Sequence, residues 1–163
     1  MARRAFYSFH YVPDCWRAAT VRSIGSVEGN KPASDNDWES VKKGGDKAIQ
    51  NWIDGQLSGK SCAVVLIGTN TAGRKWIDYE IEKAWNGKKG LLGIHIHKLK
   101  DSAGNQSTKG ASPFQRFNLN GEPLSSIVKV YNPPYWDSKD VYNYIADNLA
   151  DWFDEAVAIR ERY

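Results

Sequence analysis

Two cysteines among 163 residues, Cys15 and Cys62, are too few for a disulfide framework and lack the spacing of a metal-ligand set. The longest apolar run, CAVVLI at 62–67, falls far short of the roughly 20 residues that a membrane-spanning helix requires. The opening MARRAFYSFHY has two arginines but no apolar core of a signal peptide, so no membrane association is expected and the chain reads as cytoplasmic. Charge of one sign is scarce as well. The net charge is +3, and Arg3, Arg4, Lys42, Lys43, Lys88 and Lys89 are scattered rather than gathered into the basic stripe of a nucleic-acid binder. Nucleic acid is therefore not an expected partner. Glycines are present, but KKGGDKA (42–48) has neither P-loop nor dinucleotide spacing.

What is present is ordinary in bulk and unusual in its rings. Hydrophobic residues make up 41% and charged residues 25%, consistent with one globular domain over 1–163 that can bury a core without staples. Seven Trp and eight Tyr raise the aromatic content to 12%, which favours interfaces or flat-ring ligands.

Strands and helices alternate along the chain. RAFYSFHY (4–11) is β-prone and ends before Pro13. DCWRAATVRSIG (14–25) has helical spacing, with Trp16, Ala19 and Val21 near one another. The polar stretch 26–37 has room for a very short second strand. A helix is expected over 38–57, weakened at Gly44–Gly45, with Ala48, Ile49, Trp52, Ile53 and Leu57 on one face. SCAVVLIG (61–68) is continuous, apolar and β-branched, as a strand buried on both faces should be. A helix from about 73 to 87, a strand over 90–97, a long polar surface loop over 100–126, a last strand over 126–132 and a helix over about 138–161 complete the pattern. The last helix carries Val141, Ile145, Leu149, Trp152 and Ala156 as its stripe. Such alternation predicts an α/β fold with a mostly parallel sheet, whose ligands gather beyond the carboxyl ends of the strands.

One acid stands out in GTNTAGRKWIDYEIEKAW (68–85). With about 100° between successive helix residues and Ile77 as zero, Ile81, Ala84 and Trp85 fall within about 80° and define the core face. Glu80 lies about 60° away on the other side with Trp76 one turn below it, whereas Asp78 and Glu82 turn about 100° to 140° towards water. Spacing leaves two readings open: a partly exposed acid paired with Lys83 or Arg74, or a carboxylate held at the mouth of a site.

The residues RAFYSFHYVPD, AVVLIG and RKWIDYEI resemble the Toll/interleukin-1 receptor (TIR) pattern. The similarity is closest to the bacterial TIR-like proteins of the Thoeris antiphage system. It extends to Trp38–Glu39, GIHI (93–96), Lys109–Gly110 and Pro113–Phe114, and spans roughly residues 3–117. The resemblance implies a flavodoxin-like fold with a five-stranded sheet in the order 2-1-3-4-5. It also implies an enzyme that cleaves the nicotinamide–ribose bond of NAD and cyclises ADP-ribose into a signal nucleotide, a cyclic ADP-ribose variant. That signal would activate a separate effector in antiviral defence, and self-association would accompany activation. NAD would be substrate, and no cofactor is expected. A non-catalytic TIR-like module acting through self-association is the competing expectation. A receiver-like phosphoacceptor is excluded, because 8–11 lack an acidic pair and LIGTN lacks an aspartate.

By resemblance, Glu80 is the catalytic carboxylate. Ser8, Phe9 and His10 would line the nucleotide pocket, although Ser8 and His10 could equally satisfy loop backbone and Phe9 could be core. Asp37 and Trp38 belong to the second loop, where the indole would stack on a base or serve packing. Trp76 would shape the pocket wall. His95 and His97 share one strand face, lack a third ligand and read as structural, so no metal site is expected.

Overall fold

The computed structural model describes residues 3–29, 41–119 and 121–163. Its centre is a five-stranded sheet built from β1 (Arg4–Ser8), β2 (Glu28–Gly29), β3 (Cys62–Ile67), β4 (Gly90–His95) and β7 (Lys129–Tyr131). The spatial order is β2-β1-β3-β4-β7 and every pairing is parallel. Among the described residues, helices α1 (Tyr11–Arg22), α2 (Gly45–Leu57), α3 (Lys75–Asn86) and α4 (Ser138–Glu161) cover it. With the intervening hairpin β5 (Asn118–Leu119) and β6 (Glu122–Pro123) set apart, this is the expected flavodoxin-like arrangement. Among the described residues no helix is long and apolar enough to cross a membrane.

The continuous apolar run is central because the strand period is two and both faces are covered. Val64 and Leu66 of β3 join Tyr7, Leu92 and Ile94 under α1 and α4. Ala63, Val65 and Ile67 join Phe6 and Leu91 under α2 and α3. Each Val, Leu or Ile buried in this way stabilises by about 1.5–3 kcal/mol before entropy is counted. The same alternation aims Ser8, which shares its strand face with Phe6, at the α2–α3 side. α4 buries its whole expected stripe and is capped by Asp137, whose carboxylate accepts the Lys139 amide at 2.9 Å.

Several boundaries differ from the sequence pattern for identifiable reasons. β1 stops at Ser8 and α1 begins at Tyr11, since Pro13 in the first helical turn gives up an amide that would have no partner there anyway. α1 does not bury Trp16 and Ala19. It buries Asp14, Arg17, Ala18 and Val21, leaving Trp16 exposed, because its inner face carries an ion pair that a hydropathy pattern reads as solvent-facing. Arg17 donates from Nε to the Leu99 carbonyl at 2.7 Å and from Nη2 to that of Asn105 at 2.8 Å, tying α1 to the segment after β4. The expected helix over 38–57 breaks at Gly44–Gly45, where Gly45 holds φ +80, a region that disfavours other residues. Its first residues, 38–40, lie outside the described residues.

The segment 100–126 is more than the surface loop expected. A 3₁₀ turn at Pro113–Arg116 places Phe114 at 0% exposure in the second core. Gly93 makes room for that ring: a Cβ there would stand 2.9 Å from both Phe114 Cε2 and Ile67 Cδ1. Pro113, Phe114 and Leu124 are isolated buried residues within a polar stretch and leave no periodic trace, which is why the pattern hides them. The last strand is also shorter than 126–132, because a second 3₁₀ turn, Leu124–Ser126, occupies its start.

Candidate functional site

A cleft of about 490 Å³ opens beside β1, with Phe9, His10, Trp76 and Glu80 in its wall. That size lies within the range typical of small-molecule sites. Its location follows from the fold: the chain leaving β1 and the start of α3 run to opposite faces of the sheet, parting the backbone at the carboxyl edge.

Glu80 is the carboxylic acid among the described residues that line the cleft. The core face of α3 carries Ile77, Ile81, Ala84 and Trp85, and Glu80 joins them at 9% exposure, deeper than a boundary position on a helical wheel implies. Ser8, 1% exposed at the end of β1, donates its hydroxyl to Glu80 Oε2. Among the described residues Glu80 has no other hydrogen-bond or ion-pair partner; neither Lys83 nor Arg74 pairs with it. Burial without a cation pushes its carboxyl up to about 8, against a smaller downward pull from Ser8. The other acids of α3 are differently placed. Asp78 pairs with Arg116 at 2.7 Å and Glu82 is exposed.

The walls are aromatic and the rim is cationic. Phe9 stacks near Tyr11 with centroids 6.1 Å apart, and Trp76 meets Tyr79 edge-on at 5.7 Å. Arg22, Lys42, Arg74 and Lys75 also line the cleft. Lys75 sits 4.9 Å above the Trp76 ring and pairs with Asp46. His10 is half-buried, and both burial and the nearby Arg74 lower its pKa, favouring the neutral ring at pH 7. Flat walls suit planar heterocycles, the cations can donate to phosphate oxygens, and the Glu80 carboxyl lines the same cleft.

Of the residues expected at a site, the fold therefore brings Phe9, His10, Trp76 and Glu80 to one cleft. Ser8 lies behind Glu80 and is not part of the lining. Asp37 and Trp38 lie outside the described residues. Sequence reasoning missed Trp52, Tyr7, Tyr11 and the four rim cations. Trp52 was absorbed into the apolar stripe of α2, and the cations come from three separate parts of the chain with no spacing to link them.

His95 and His97 are buried, with ring centroids 5.9 Å apart and both pKa values lowered, first by burial. No third His, Cys, Asp or Glu joins them in a metal-binding group among the described residues.

The sequence profile of the family described as Thoeris protein ThsB, TIR-like domain, matches residues 6–101, more than half of the chain. A Bacillus cereus (strain MSX-D12) protein named "Putative cyclic ADP-D-ribose synthase ThsB1" is 40% identical over 160 residues, covering 92% of this chain and 82% of that protein. The match contains β1 from Phe6 onward, the residues that line the cleft and all of α3 with Glu80, and the chain belongs to the TIR-like domain family of the Thoeris protein ThsB.

Proposed function

We propose that this chain is an enzyme that cleaves the nicotinamide–ribose bond of NAD and closes the ADP-ribose into a cyclic signal nucleotide. The observation that carries this reading is Glu80: a buried carboxyl with no cationic partner among the described residues, set in an aromatic cleft with a cationic rim. The name of the Bacillus cereus relative supports the same product class.

The chemistry asks for these groups. Nicotinamide leaves as a neutral base, so little acid assistance is needed, while the ribose develops oxocarbenium character. A carboxylate beside the anomeric carbon stabilises that charge, the demand glycosidases meet with their own carboxylates. In the free protein Glu80 holds its proton near neutral pH. Entry of the pyridinium ring brings a positive charge beside it and favours the ionised form, so the carboxylate is generated where it is used. In this reading Trp76 and Phe9 of the cleft lining offer faces to a planar ring, and Arg22 and Arg74 of the same lining would donate to the diphosphate. Cyclisation further requires a second hydroxyl held near the anomeric carbon and water kept out. In this reading the product diffuses to a separate effector, and the chain self-associates on activation.

Incubation of purified protein with NAD, alongside Glu80→Gln, followed by mass spectrometry of the nucleotides tests the assignment. Wild type is expected to release nicotinamide and form a cyclic ADP-ribose isomer, and Glu80→Gln to form neither. Unchanged product from Glu80→Gln would remove Glu80 from the reaction. Wild type with no turnover, even in lysates of infected cells, would favour an interaction module instead.

A further inference from the structure

We propose that Ser8 is a positioning residue for Glu80: its hydroxyl pins Oε2, turns Oε1 to the cleft, and touches no substrate atom. Ser8 is 1% exposed and absent from the cleft lining, whereas Glu80 lines it. The hydroxyl donates to Oε2, and no other residue among those described bonds the carboxyl. The proposal builds on the NAD-cleaving reading but concerns the state of Glu80, which can be observed without turnover.

Two physical arguments support it. The terminal torsion of a glutamate is broad and lacks sharp staggered wells, so packing alone does not fix the carboxyl plane; a directional hydrogen bond does. A buried hydroxyl is costly unless partnered. At the end of β1, on the face of Phe6, an alanine would pack as well as Ser8, so Glu80 is what makes the hydroxyl worth burying. The pairing is also built from both sides. Strand parity aims Ser8 at α3, and its register opposite Val65 fixes its height beside the helix.

The contact acts on protonation as well as on orientation. A donor to the ionised form favours that form, so Ser8 opposes the effect of burial on Glu80. Among the described residues, the other titratable and charged groups lining the cleft are His10 after β1, Arg22 of α1, Lys42 ahead of α2, and Arg74 and Lys75 at the start of α3, with the phenols of Tyr7 and Tyr11. None pairs with Glu80, and all are retained when Ser8 alone is changed.

The test is a carbon-13 NMR titration of the Glu80 carboxyl in the full chain, compared between wild type, Ser8→Ala and Ser8→Thr, with NAD kinetics on the same samples. In Ser8→Ala the titration midpoint is expected to rise by about one pH unit or more, and in Ser8→Thr to stay near wild type. Kinetically, Ser8→Ala should lower kcat about tenfold or more with KM for NAD within about twofold, and move the acid limb of the profile to higher pH. In the Glu80→Gln background, which forms no product, Ser8→Ala should leave the Kd for NAD unchanged within about twofold. An unmoved midpoint overturns the proposal, as does a raised KM at constant kcat, which would put Ser8 on the substrate. If Ser8→Ala does not fold, Ser8→Cys replaces it; its weak donor should give a smaller upward shift, and no shift overturns the proposal. If wild type cleaves no NAD, the functional reading fails while the titration still decides this one.

Discussion

Replacing Glu80 with glutamine should stabilise the protein above neutral pH and do so in a pH-dependent way. The carboxyl has an ordinary value of 4.5 and is pushed up to about 8 in the fold. Between those values the unfolded chain has released the proton and the folded chain still holds it. The folded state therefore binds more protons, and stability falls as pH rises through the window. The penalty is absent below about pH 4.5, grows by about 1.4 kcal/mol per pH unit, and is complete above about pH 8, where it is on the order of 5 kcal/mol. Glutamine is nearly isosteric, keeps a partner for Ser8 and does not titrate. The difference between the two proteins thus isolates this one group, since every other ionisation is common to both. For a chain of this size, 1 kcal/mol corresponds to about 2–4 °C in Tm, so the gap should widen by about 10 °C or more between pH 5 and pH 8. Urea or thermal unfolding of both proteins across pH 4 to 9 reads it directly. Parallel stability curves would refute the reasoning, because they would mean that Glu80 is ionised in the fold or has a counter-charge.

Other perturbations probe the frame that holds the site. Arg17→Ala should cost about 3–5 kcal/mol in urea unfolding, because it strands the buried Asp14 carboxylate and removes the ties to Leu99 and Asn105. Phe114→Ala should cost a similar amount, about 3–5 kcal/mol, by opening a cavity against Gly93 and Ile67, whereas a true surface-loop residue would change stability by less than about 0.5 kcal/mol.

Much of the architecture was legible in the chain because it depends on local period. CAVVLI could only be a strand covered on both faces, the stripe from Val141 to Ala156 could only be a buried helix face, and their alternation implied a parallel sheet. Glu80 was legible as a candidate because α3 has a clean wheel, and the TIR-like motifs then attached a role to it. Features that break period were hidden: the ion pair facing inward from α1, and Phe114 anchoring a polar segment.

By itself, then, the sequence determined the elements, their order and the one acid at the edge of a core face, since each depends on neighbours a few residues apart. Only the tertiary structure decided that Glu80 is buried and carries its proton near neutrality, because that depends on packing around a carboxyl whose hydrogen-bond partner, Ser8, is 72 positions away in the chain and which has no paired cation among the described residues. It likewise decided which cations line the cleft, as Arg22, Lys42, Arg74 and Lys75 meet there only when the end of α1 and the starts of α2 and α3 are brought together beside β1. Dielectric surroundings and long-range juxtaposition are properties of packed space, and no local pattern encodes them.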